Sequence, residues 1–144
     1  MPYRYLEDIA TADVAFEAWD KKVEDMFIAA AEASMNVMVD ELSAIEKTEQ
    51  RRISLWAEAV DMLLFEFIQE LIFLKDAEQL LLRVSQIFIE PENNGFRLRA
   101  DLYGEVLDPN KHSLNADVKA VTLHRFSVEQ TPGIGWTAVV VLDI

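Results

Sequence analysis

The chain has 144 residues, the size of one ordinary domain, and at 51% apolar with only 4 Gly and 4 Pro it has material for a core rather than for disorder or repeats. Its 26 acidic residues against 13 basic ones leave a net charge of −13. That balance argues against gripping nucleic acid directly, which needs clustered Lys and Arg, and disfavours binding to an anionic membrane surface. With no cysteine, disulfides, thiolate metal sites and thiol chemistry are excluded.

No basic stretch followed by an apolar run opens the chain, so a signal peptide is not expected and a cytoplasmic location is. The longest apolar stretch, Met62–Leu74, is interrupted by Glu66, Gln69 and Glu70 and is too short to span a bilayer. The negative charge is uneven: residues 1–50 hold 12 acids and 4 bases, whereas residues 97–144 hold 6 and 5. No Pro/Gly/Ser linker separates these regions, so the bias lies within one domain, residues 1–144.

In chain order, Val14, Phe16 and Ala18 alternate with Asp13, Ala15 and Glu17, a strand pattern. Asp20 is then placed to cap a helix in which Val23, Met26, Phe27, Ala30, Ala31, Ser34, Val37 and Met38 recur at helical spacing. Arg51–Trp56 reads as a strand. A second helix is predicted from Ala57 to Lys75, with Val60, Leu64, Phe67, Leu71 and Leu74 on one stripe. Met62, Phe65, Ile72 and Phe73 widen that stripe, which predicts a mostly buried helix.

Leu80–Glu90 is a strand that breaks at Pro91–Gly95, a hairpin turn, and Arg97–Val106 is its partner. Asp108-Pro109-Asn110 is a turn. Val118–Glu129 and Trp136–Ile144 form two further strands joined through Pro132–Gly135. The prediction is an α+β fold, two early helices packed on a largely antiparallel sheet of six or seven strands.

Catalytic signatures are missing. Pro132-Gly-Ile-Gly135 lacks the Lys and helix of a phosphate loop, and no serine sits in a nucleophile elbow. His112, beside a Pro-Asn-Lys turn, reads as a solvated loop residue. His124 shares strand parity with Val118, Ala120, Thr122, Phe126 and Val128, so it is expected on the apolar side. It is either a core histidine bonded to a backbone carbonyl or a ligand or proton-handling group at a sheet edge. Glu70, midway along the apolar second helix, is expected to point outward. Asp13 opens a strand, where its carboxylate can bond backbone amides or hold a cation.

The chain ends Val139-Val-Val-Leu-Asp-Ile144, which sets the Asp143 carboxylate beside the terminal one. Either this terminus frays, or the two anions are compensated by a cation or donor. A hard cation such as Ca²⁺ or Mg²⁺ takes several such oxygens, and Asp13 would supply a third carboxylate.

Several segments together resemble the archease family: Tyr5–Trp19 containing Thr11-Ala-Asp13, the helix ending Met35-Asn-Val-Met38, Val118-Lys-Ala-Val-Thr-Leu-His124, and the ending Val140-Val-Leu-Asp-Ile144. The second helix, with Glu70 in a Leu/Ile-rich run, is also similar. The resemblance implies an accessory protein and no stand-alone enzyme. Its expected partner is the GTP-dependent tRNA-splicing RNA ligase, which joins a 2′,3′-cyclic phosphate or 3′-phosphate to a 5′-hydroxyl; promotion of ligase guanylylation and repeated turnover is implied. It further implies a divalent metal ion, Ca²⁺ or Mg²⁺, held by Asp13 and Asp143 with Ile144 adding oxygen. Lys119 and His124 become candidates for the same surface. Many archeases have a histidine where this chain has Ala10, so that role is lost or passes to a group such as Asp8. An alternative partner is a tRNA methyltransferase, contacted through the acidic N-terminal region. A metal-dependent hydrolase built on Asp13, Asp143 and His124 lacks a nucleophile motif.

Overall fold

A computed structural model describes residues 2–7 and 13–144. The elements run β1 (Tyr3–Leu6), β2 (Asp13–Asp20), α1 (Val23–Met38), β3 (Glu49–Ala57), α2 (Val60–Glu78), β4 (Leu80–Glu92), β5 (Gly95–Val106), β6 (Ala120–Thr131) and β7 (Gly135–Asp143). All strand pairing is antiparallel, as expected, but it divides between two sheets. One has the order β1-β2-β7-β6 and the other β3-β5-β4. The division is a tertiary matter, since each hairpin looks the same in sequence whichever sheet receives it.

The helices join the two sheets. α1 packs on β2 and β7 of the first and on β4 of the second, and α2 packs on β6 of the first and on β3, β4 and β5 of the second. Phe27 of α1 stacks on Phe67 of α2 at 5.9 Å between ring centroids, and both are fully buried. The predicted stripe of α1 packs, and burial extends beyond it to Ala29, Ala33 and Met35. Asp20, however, does not cap α1. It ends β2 opposite Trp136, and its carboxylate accepts the Lys21 N–H, leaving Lys22 at the cap position with no side-chain bond.

α2 departs from expectation on its outer face. Leu63, Leu64, Phe67, Ile68, Leu71 and Ile72 are buried, but Met62 and Phe73 are 39% and 56% exposed. An apolar stripe counted along a sequence does not say how wide an arc its neighbours cover, and here the sheets cover less than the stripe. Among the described residues no helix is long and apolar enough to cross a membrane.

The hairpin β4–β5 turns on Asn93 and Asn94, with φ of 50° and 61°. Positive φ at both central residues is the conformation of a tight hairpin loop, which asparagine tolerates better than most residues. β1, four residues long, falls outside the sequence-predicted elements because so short a stretch shows no clear alternation.

Candidate metal centre

β2 opens on Asp13 and β7 closes on Asp143, and their antiparallel register sets these two residues directly opposite one another. Side chains of directly opposed residues share a face, with Cβ atoms about 5 Å apart. The carboxylates are therefore neighbours, although 130 positions separate them in the chain. Both are half-buried. Among the described residues neither carboxylate has a hydrogen-bonding or ion-pairing side chain. Like charges so placed repel, which is the electrostatic condition a bound cation relieves.

Ile144 is half-buried and its side chain packs against the core, which holds this residue in place beside Asp143. On the other side of β7, Ala120 pairs with Asp143, and the Lys119 N–H donates to the Asp143 carbonyl at 2.8 Å. Thr122 lies on the same sheet face, opposite Val141, with a buried hydroxyl that has no partner among the described residues. Carboxylate and carbonyl oxygens of this kind suit a hard divalent cation such as Ca²⁺ or Mg²⁺. Among the described residues no third Asp, Glu or His joins the pair. Asp8 lies outside the described residues, as does Ala10.

The 13 residues between β5 and β6 return the chain to this end of the sheet, and polar contacts hold them along the way. Asp40 accepts from Ser113 and Asn115, and the Asn115 and Ala116 N–H groups bond the last carbonyls of α1. Lys75 of α2 then reaches out of the core, only 6% exposed, to the Val118 carbonyl at 2.8 Å and to the Asp76 and Asp117 carboxylates. Burial works against the charge of Lys75, but these partners outweigh it and raise its pKa. Sequence reading had no signal for Lys75, which looks like an ordinary last-turn cation. Lys75→Ala should leave the Val118 carbonyl without its donor, costing about 1–3 kcal/mol in denaturant unfolding. Because Val118 precedes the residue bonded to Asp143, cation affinity should also fall roughly tenfold in a calorimetric titration.

Of the other expected site residues, Lys119 lies at this end, exposed just before β6, and the rest fall elsewhere. His124 is not on the apolar side. The β6–β7 register passes from Thr122 opposite Val141 to Ser127 opposite Val139, so residues 123–126 face Val140 alone. Arg125 takes a φ of 56° within this irregularity. Strand parity is lost there, and His124 stands exposed beside Leu123. Glu70 points outward and half-buried on α2, in a groove with Leu55, Phe65, Glu66, Gln69 and Phe73, and makes no bond to Asp13 or Asp143.

His112 reverses its expectation as a solvated residue. It is 2% exposed; its Nδ1 accepts the Asp108 N–H at 2.9 Å and its Nε2 lies 2.7 Å from Glu105 Oε1. With Nδ1 accepting, the ring hydrogen sits on Nε2 and donates to the carboxylate. Lys111 and the Glu46 N–H also bond Glu105, at 2.9 and 3.1 Å. Burial pushes the Glu105 pKa up, but these three donors together overcome it and hold the group down at about 2. This cluster secures the loop after β5 and does not contribute to the carboxylate pair.

The family model of the archease protein family matches residues 3–144. The chain belongs to the archease family. It is 37% identical to the protein archease of Pyrococcus abyssi, over 93% of this chain and 94% of that one. It is 33% identical to the protein archease of Methanopyrus kandleri, with 100% of both chains covered. The solution structure of Methanobacterium thermoautotrophicum protein 1598 superposes with a TM-score of 0.84, at 30% identity and covering 99% of each chain. Membership in the archease family supports an accessory role tied to an RNA ligase and tRNA processing.

Proposed function

We propose that this protein activates a GTP-dependent tRNA-splicing RNA ligase, promoting its guanylylation and repeated turnover in the joining of 2′,3′-cyclic phosphate or 3′-phosphate ends to 5′-hydroxyls. The observation that carries the reading is the cross-strand pairing of Asp13 with Asp143 at the end of the sheet where Ile144 packs against the core. Asp13 and Asp143 would hold the cation, and Ile144 would fix the terminal oxygens beside them. A bound Ca²⁺ or Mg²⁺ would supply positive charge there, able to neutralise phosphate oxygens or a neighbouring carboxylate. Lys119, exposed at the same end, would offer a fixed cation to the same anionic groups. In keeping with the accessory role of the family, the chemistry is assigned to the ligase.

The test is to add the purified protein to the cognate ligase with GTP and a divalent metal, and to count ligation events per ligase molecule. The count should rise well above one with the protein present. A count that the protein leaves unchanged would overturn the reading and turn attention to a tRNA methyltransferase as partner.

A further inference from the structure

The outer face of α2 sets exposed apolar side chains beside acidic ones. Phe73 is 56% exposed and Met62 39% exposed, while Phe65 is half-buried against Phe126 of the irregular β6 segment at 5.5 Å. Phe65 and Phe73 flank a groove of about 340 Å³ that is completed by Leu55 of β3, Gln69, Glu66 and Glu70. Among the described residues β3 and β6 are both sheet-edge strands, and α2 packs on both.

The charge in this groove is uncompensated. Glu32, Asp76 and Glu78 pair with Arg83, Lys75 and Arg51 respectively. Glu66 and Glu70 make no ion pair or hydrogen bond with any described residue. They stand one helical turn apart, where like charges repel mildly, among aromatic side chains that gain nothing from water. A partner bringing both apolar and cationic groups would remove both penalties at once.

The groove also leads toward the carboxylate end. Lys75, two residues after Phe73, binds the Val118 carbonyl, and the next residue, Lys119, bonds the Asp143 carbonyl. We infer that this face of α2 is the docking surface for a basic, apolar segment of the partner ligase, with Phe65 and Phe73 receiving its apolar side chains and Glu66 and Glu70 its lysines or arginines. The inference rests on the function proposed above. It separates the grip on the partner, made by α2, from the activating carboxylates at the sheet end.

The test measures affinity and maximal stimulation separately. Binding of the ligase is titrated calorimetrically with the wild type, with the triple variant Phe73→Ser, Glu66→Lys, Glu70→Lys, and with a charge-matched control, Asp25→Lys, Glu90→Lys, in which both substituted residues are exposed and outside the groove. The triple variant should raise Kd roughly tenfold or more, with the control near wild type, while stimulation at saturating protein stays at the wild-type level. An unchanged Kd in the triple variant would overturn the docking surface, as would an equal loss in the control, which would mean that only overall charge matters. Should the triple variant melt early, the milder Glu66→Gln, Glu70→Gln pair replaces it, with a raised Kd again expected and an unchanged one overturning the surface. Wild-type protein that fails to bind the ligase would overturn the functional reading itself.

Discussion

Asp143→Asn is expected to abolish tight binding of Ca²⁺ or Mg²⁺ and stimulation of the ligase, while leaving the metal-free protein as stable as wild type or slightly more so. The sign follows from the register. Asp13 and Asp143 face each other across β2 and β7 with no cationic side chain between them among the described residues. Directly opposed like charges cost about 0.2–1 kcal/mol, and asparagine removes one charge while keeping the shape. In the wild type, a cation that binds only the folded state should add about 2.7 kcal/mol at a concentration 100 times Kd. Melting with chelator and then with excess calcium or magnesium reads both effects. The wild type should shift upward on adding the ion, and Asp143→Asn and Asp13→Asn should not. A variant that keeps the wild-type shift would show that its carboxylate is not a ligand, and full ligase stimulation by both variants would sink the mechanism.

The second large effect concerns stability alone. Glu105→Ala is expected to destabilise the fold by about 1–3 kcal/mol for each of the two donors it leaves without an acceptor, the buried His112 Nε2–H and the Glu46 N–H, while Lys111 keeps Glu46 as a partner. The same group makes stability depend on acid. Its folded pKa, about 2, lies below the ordinary 4.5, so its contribution is complete above 4.5 and drains away as pH falls toward 2. Denaturant unfolding of the wild type should therefore weaken steeply over that interval. Glu105→Gln, which carries no titrating charge, should show a shallower acid slope from a lower starting stability. Equal slopes in the two proteins would assign the acid sensitivity to other carboxylates.

Both helices, the β4–β5 hairpin and the alternation of β2 and β5 were legible from periodicity and turn chemistry, since these depend on residues close in the chain. The errors have local causes too. Asp20 has the chemistry of a cap but is taken by the end of β2, and the irregularity after Thr122 resets the parity on which the placement of His124 depended. For the site, Asp13 and the Asp143–Ile144 ending stood out as unusual positions. Lys75, Glu105 and His112 did not, because a Lys in a last helical turn or a His beside Pro-Asn-Lys is most often solvated.

Composition alone set one firm bound, no thiol chemistry, because that depends only on which side chains exist. Local pattern added the helices and most strands, because hydrogen bonds within a helix and across a hairpin join near neighbours. Only the folded chain brings Asp13 opposite Asp143, buries Lys75 and His112, and leaves Phe73 and Glu70 on an open face. Those outcomes depend on which strands pair across long stretches of chain and on how much of each helix the sheets cover, and neither is written in the spacing of residues along a single element.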